Sequence, residues 1–124
     1  LASAVRPCGA GRDAARAIAG RLVRELPALT GVVVHNEPLI DPLIDAFEEL
    51  GLSVPGDLSL TAVCPSPVAA SARVPVTSVA VPSAELGTRA VHLLVRKLSG
   101  VPVPEATLLP PRLTERASTA PRGA

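Results

Sequence analysis

Residues 31–51 read GVVVHNEPLIDPLIDAFEELG, and this stretch contains the two patterns that decide the fold. The run from Gly31 to His35 is short, apolar and β-branched, which is typical of a strand covered on both faces in a parallel sheet. From Asp41 onward, apolar residues recur at helical spacing opposite acidic ones, and Gly51 follows as a left-handed cap. The stretch therefore predicts a strand followed by a helix.

The same alternation extends in both directions along the chain. Upstream, residues 12–26 form an amphipathic helical pattern that Pro27 stops. Downstream, the same criteria predict three strands and one helix, at residues 58–63, 76–80, 108–113 and 86–98 respectively. Pro110 and Pro111 confine the last strand to an edge or a crossing position. This order predicts an α/β fold, a parallel sheet flanked by helices in a Rossmann-like three-layer architecture, whose ligands bind beyond the carboxyl ends of the strands.

Composition excludes several classes of function. Hydrophobic residues make up 48% of the 124 residues and Phe47 is the one aromatic residue, so we expect an aliphatic core without stacking on nucleic-acid bases. The 12 basic and 11 acidic residues are scattered, which argues against DNA binding by this chain alone. Without a long apolar run or a signal-peptide pattern, we expect a cytoplasmic protein with no membrane partner. The start at Leu1 rather than Met suggests an upstream portion.

Catalytic and metal chemistry lack the residues they need. Cys8 and Cys64 are far apart, with no CxxC pair and no neighbouring histidine cluster, so we expect no zinc, and a disulfide forms only if the fold brings them together. An enzyme would need one of these thiols as nucleophile and His35 as base, yet no pattern joins them. No phosphate loop or nucleophile elbow occurs either. We therefore predict no catalytic residue, no metal and no cofactor.

Asn36 stands directly after the strand at residues 31–35 and before a turn. Its amide can cap the following helix, or it can exchange hydrogen bonds with a polar ligand at the edge of the sheet. The residues alone leave both interpretations open.

Five short motifs occur in order along nearly the whole chain, and together they resemble the sensor domain of the LacI/GalR transcriptional regulators. Each motif is weak alone, whereas five in the right order and spacing are specific. The motifs are Gly11-x-Asp13-Ala14-Ala15-Arg16; Asn36-Glu37; Ala46 with Gly51-Leu52-x-Val54-Pro55-x-Asp57-Leu58-Ser59; Val76-Thr77-Ser78-Val79-x-Val81-Pro82-x-x-Glu85-Leu86-Gly87-x-Arg89-Ala90; and Leu113-x-x-Arg116-x-Ser118-Thr119.

The resemblance implies a fold like the periplasmic sugar-binding proteins, in which two α/β subdomains close on a small effector. It also implies a homodimer and a separate helix-turn-helix that reads operator DNA and precedes this chain. Residues 1–116 would then be the C-terminal portion of the effector-binding and dimerisation domain, and residues 117–124 a loose tail. A periplasmic-type solute-binding protein of the same fold is the alternative, which the closing motif disfavours.

The resemblance also implies the ligand-binding residues, which we expect to be Asn36, Cys64, Ser66 and Arg6. Asn36 occupies an effector-contacting position, whereas Cys64 stands where the family commonly has a sugar-binding acid. Arg6 or Pro7 replaces an aromatic residue that stacks on the effector, and Arg6 is either solvated or paired with an anion. We therefore expect a sugar-like or small anionic metabolite, and not a simple neutral hexose.

Dimer formation is expected because a central strand of the family's sheet precedes Leu1 by this alignment. That strand would lie between a strand near residues 2–6 and the strand at residues 31–35. Its absence leaves the second of these with an open edge, which either the strand near residues 2–6 or a second copy would cover. We expect a partner chain to cover part of the apolar faces of the helices at residues 12–26 and 41–50.

Overall fold

The computed structural model describes residues 4–122, in which helices alternate with strands as the sequence predicts. None of these helices is long and apolar enough to cross a membrane. The elements in chain order are α1 (Arg12–Glu25), β1 (Gly31–Val34), a 3-10 turn (Glu37–Leu39), α2 (Ile40–Glu49), β2 (Ser59–Val63), α3 (Ser66–Ser71), β3 (Thr77–Ala80), α4 (Ser83–Leu98) and β4 (Arg112–Thr114).

The four strands form one sheet in the order β1-β2-β3-β4. β1 pairs with β2, and β2 with β3, in parallel, whereas β4 runs antiparallel to β3. The α/β fold with a sheet flanked by helices is therefore confirmed. Pro110 and Pro111 precede β4, and β4 is an edge strand, in agreement with the prediction from these prolines.

The core lies between the sheet and the helices α1 and α2, which pack against each other. Ile18 and Leu22 of α1 and Ile44 and Phe47 of α2 are all buried in it. Burial of each such large side chain contributes about 1.5–3 kcal/mol. The chain itself buries most of these two apolar faces, whereas Leu50 at the end of α2 is 48% exposed, and the expectation that a partner chain covers part of them stays a prediction.

The open edge that the sequence analysis expected at β1 is present. Within the described part of the sheet, β1 pairs only with β2, and Val33 at its centre is 71% exposed. Residues 4–6 form no strand beside β1, and residues 2 and 3 of the expected strand lie outside the described residues. Residues 4–6 therefore do not cover the β1 edge as part of the strand expected near residues 2–6.

Helix α4 contrasts with α1 and α2, since none of its residues is buried. Five of its aliphatic side chains are exposed, and they recur at helical spacing: Leu86, Val91, Leu94, Val95 and Leu98. The chain enters α4 from β3 and returns to the sheet through β4. The amphipathic pattern therefore forms the predicted helix, but the described chain leaves its apolar stripe exposed.

Ser118 joins the amino ends of β2 and β3, which pair directly only from Thr61 and Thr77 onward. Its N–H donates to the Pro75 carbonyl at 3.1 Å, and its carbonyl accepts from the Leu60 N–H at 2.8 Å. Its hydroxyl accepts from the Thr77 N–H at 2.8 Å and donates to the Leu60 carbonyl. Ser118 is 0% exposed, so these bonds satisfy backbone groups that water does not reach.

The neighbours of Ser118 are also attached to the sheet. The hydroxyls of Thr77 and Thr119 share a hydrogen bond of 2.8 Å, and the Ala120 N–H donates to the Ser59 hydroxyl at 3.1 Å. The expectation of a loose tail from residue 117 therefore differs from the structure over residues 118–120. Small polar residues indicated a tail, but here they serve as hydrogen-bond partners for strand ends. Residues 123 and 124 lie outside the described part.

We predict that Ser118→Ala destabilises the fold by about 1–3 kcal/mol, because the Thr77 N–H and the Leu60 carbonyl lose a buried partner. Chemical denaturation measures the free energy of unfolding. Ser99→Ala is the matched control, since the Ser99 hydroxyl bonds only the exposed Val95 carbonyl and its loss should cost less than about 0.5 kcal/mol. Equal losses for the two variants would contradict the role given to Ser118.

Candidate ligand-binding edge of the sheet

The parallel pairing of β1 and β2 brings their carboxyl ends to the same edge. Val34, the last residue of β1, pairs in register with Ala62 of β2. Asn36 stands two residues beyond β1, and Cys64 directly follows β2. Two of the four predicted site residues are thus near neighbours at the edge where α/β sheets bind ligands.

Asn36 is exposed and precedes the 3-10 turn at the position where a side chain could cap it. No side-chain cap is formed, and among residues 4–122 the Asn36 amide has no hydrogen-bond partner. Of the two interpretations that the sequence left open, capping is therefore not realised. An amide offers two donors and one acceptor oxygen, all of which Asn36 keeps available at this edge.

Cys64 is buried, with only 5% of its surface exposed. Burial raises the pKa of the Cys64 thiol, the negative charge of Glu37 raises it further, and the positive charge of Arg116 opposes this. Burial also raises the pKa of the Cys8 thiol. Both cysteines are free rather than joined in a disulfide, and a protonated, buried thiol is a poor nucleophile.

Ser66 begins α3, two residues after Cys64, and is half-buried. Its hydroxyl accepts a hydrogen bond of 2.6 Å from Nη2 of Arg116. The sequence analysis placed Arg116 only in the closing motif and did not connect it with this edge. Fifty positions separate the two residues, and no periodicity or spacing reports a contact over such a distance.

Arg6 is paired within the chain. Its guanidinium lies 2.8 Å from the Glu25 carboxylate, and its side chain is 17% exposed. Hydrogen bonds from Arg21 and from Arg6 lower the pKa of Glu25. Arg6 is therefore neither fully solvated nor an uncompensated cation, and an anionic ligand would have to share it with Glu25.

A groove of about 820 Å³ runs along the open side of β1. The consecutive residues from Gly31 to Asn36 line one wall, and Ile18 and Leu22 of α1 contribute to the rest. Side chains of successive strand residues point to opposite faces, so a groove that touches all of them follows the strand edge itself. Arg6 and Asn36 line this groove, but Cys64 and Ser66 do not. The four predicted residues thus form two groups, Arg6 with Asn36 in the groove and Cys64 with Ser66 in the loop after β2, and Asn36 is the groove residue next to that loop.

The described residues contain no group of three or more histidine, cysteine or acidic side chains that could hold a metal ion. His35 and His92 are both exposed. The predicted residues at this edge that keep polar groups are Asn36, with an exposed side-chain amide, and Ser66, with a hydroxyl bonded to Arg116.

Comparison with known proteins identifies the family. The sequence profile of the periplasmic binding protein-like domain matches residues 3–119. The HTH-type transcriptional regulator MalR of Streptomyces coelicolor is 34% identical over 111 residues, which is 89% of this chain but 30% of the relative. The chain therefore spans about a third of the length of this regulator.

Solved structures agree with this result. A LacI family transcriptional regulator from Bifidobacterium animalis subsp. lactis has a TM-score of 0.82 and 27% identity over 90% of this chain and 41% of its own. A LacI family regulator from Arthrobacter sp. FB24, solved in complex with lactose, has a TM-score of 0.74 and 29% identity over 91% of this chain and 44% of its own. The chain belongs to the periplasmic binding protein-like domain family, in the form found in LacI family transcriptional regulators.

Proposed function

We propose that this chain senses a small-molecule effector and forms dimers as part of a LacI-type regulator that acts in the cytoplasm. The observation that carries the proposal is the unpartnered Asn36 amide at the carboxyl end of β1, next to the loop that follows β2. A related regulator has been solved with lactose, which supports a small molecule as the ligand class. The regulator names of the relatives favour this function over that of a solute-binding protein and over an enzyme.

Operator DNA would be contacted by a helix-turn-helix outside this chain. Several of the basic side chains here are already paired with nearby acids. Arg16 pairs with Glu49 at 2.7 Å, and Arg73 pairs with Glu48 at 2.9 Å. Phosphate contacts need clustered, available cations, so this chain would influence DNA binding only indirectly.

The effector is proposed to be a small anionic or sparsely hydroxylated metabolite. By the family resemblance, Cys64 stands where an acid would accept hydrogen bonds from sugar hydroxyls, and burial raises the pKa of this thiol. A thiol is a weak acceptor, so hydroxyl-rich neutral ligands lose their strongest partner at this position.

We predict that Asn36→Ala leaves the free energy of unfolding within about 0.5 kcal/mol of the wild type, because the side-chain amide has no hydrogen-bond partner among residues 4–122. In the intact regulator, calorimetry with the effector found by a metabolite screen should show affinity weakened about 2- to 10-fold, the value of one hydrogen bond. Thr88→Ala on α4 is the control for both measurements. Unchanged effector affinity would contradict contact through Asn36.

Neutral hexoses should bind poorly. Titration of the chain and of the intact regulator with glucose and galactose should give no dissociation constant below about 1 mM, because no carboxylate follows β2 to receive their hydroxyls. A micromolar constant for either sugar would refute the proposed effector class.

A homodimer is expected in solution, because two surfaces remain uncovered by residues 4–122. These are the open edge of β1 and the apolar stripe of α4. Unpaired edges and large apolar patches favour association. Light scattering at micromolar concentration should report twice the mass of the chain, and amide exchange at β1 should slow as concentration rises. A monomer with rapidly exchanging β1 amides would contradict this prediction.

A further inference from the structure

Arg116 is a half-buried cation held by neutral groups. Its Nη1 donates to the Val76 carbonyl and to the Ser78 hydroxyl, both at 2.8 Å. Its Nη2 donates to the hydroxyl of Ser66 at 2.6 Å and to the carbonyl of Ser66 at 3.3 Å. In the described part of the chain, no carboxylate lies within ion-pairing distance of this guanidinium.

The fork of the guanidinium joins two elements that are far apart in sequence. One nitrogen binds β3 and the other binds the first residue of α3, so Arg116 fixes where the loop after β2 ends. A lysine has one nitrogen on a flexible stem and cannot hold both elements in this fixed geometry. Cys64 lies in the same loop, within reach of the charge of Arg116.

The bond from Arg116 also decides what Ser66 offers to a ligand. The Ser66 oxygen already accepts from a cation, which polarises the hydroxyl and favours donation of its proton over acceptance at its remaining lone pair. Among residues 4–122, no protein atom accepts that proton. A ligand atom that meets Ser66 is therefore best matched when it is a hydrogen-bond acceptor, and a negatively charged acceptor gains most beside a cation that has no counter-ion.

We propose that Arg116 positions the loop of residues 64–66 and, through Ser66, selects a ligand with an anionic acceptor group, a carboxylate or a phosphate. The proposal rests on the proposed function, since it assumes that a small molecule binds at this edge. Glu37 is exposed, and its negative charge, which acts on the Cys64 thiol, opposes an anion here. The three residues thus change anion affinity in known directions: Arg116 and Ser66 raise it, and Glu37 lowers it.

Thiol labelling tests the positioning role without any ligand. In a Cys8→Ser background, iodoacetamide reports local opening around Cys64, which is buried in the closed loop. Arg116→Gln should raise the labelling rate at least about tenfold, and Arg116→Lys should restore it only in part. Arg16→Gln, which removes an exposed arginine pair on α1, should change the rate less than about twofold. Thermal unfolding of each variant shows how much of the change in the labelling rate comes from global unfolding. A rate that global stability fully accounts for would overturn the positioning role.

Calorimetry with gluconate, glucose 6-phosphate and glucose tests the selection. At least one of the two anions should bind the chain about tenfold more tightly than glucose, and the tighter one identifies carboxylate or phosphate as the preferred group. Ser66→Ala should remove most of this preference, whereas Glu37→Gln should increase it. Equal affinities for all three compounds would overturn the selection by Ser66. Failure of all three to bind would count against the proposed function and the selection, while labelling would still decide the positioning role.

Discussion

The fold depends on hydrogen bonds that bring the end of the chain between β2 and β3. These strands diverge at their amino ends, and Ser118 occupies the gap with its backbone and its hydroxyl. Without it, backbone groups of Leu60 and Thr77 would be buried without partners, at a cost of about 1–3 kcal/mol each. The same segment places Arg116 beside β3. The end of the chain therefore both joins β2 to β3 and sets the geometry of the loop after β2.

Much of the fold could be predicted from the sequence, because its signals are local. The β-branched run at β1 and the apolar stripe of α2 have the periodicities of their elements, and the prolines before β4 indicate an edge. Helix α3 escaped prediction because its six residues, SPVAAS, are too short and too small to show a stripe. It could not be predicted either which apolar helix stripes the rest of the chain buries. The apolar stripes of α1 and α4 look alike in sequence, yet the stripe of α1 is buried and the stripe of α4 is exposed. Tertiary contacts decide which of the two is buried.

The candidate site could be predicted in part. Asn36 and Cys64 lie at the carboxyl edge because a residue that follows a parallel strand must lie there. The hydrogen-bond and ion-pair partners of the predicted residues could not be predicted from the sequence. Arg6 meets Glu25 on α1, and Ser66 meets Arg116 near the end of the chain. Both contacts join side chains separated by at least 19 positions, a distance over which neither propensity nor spacing carries information.

Helix α4 is connected to the sheet at both of its ends. It buries no side chain in the body, but β3 leads into it and β4 receives the chain after it, and these two strands are paired. A protein surface that binds α4 would therefore pull on both strands through covalent bonds. The guanidinium of Arg116 connects β3 to the loop after β2, so strain applied at a distant helix has a short mechanical route to Ser66.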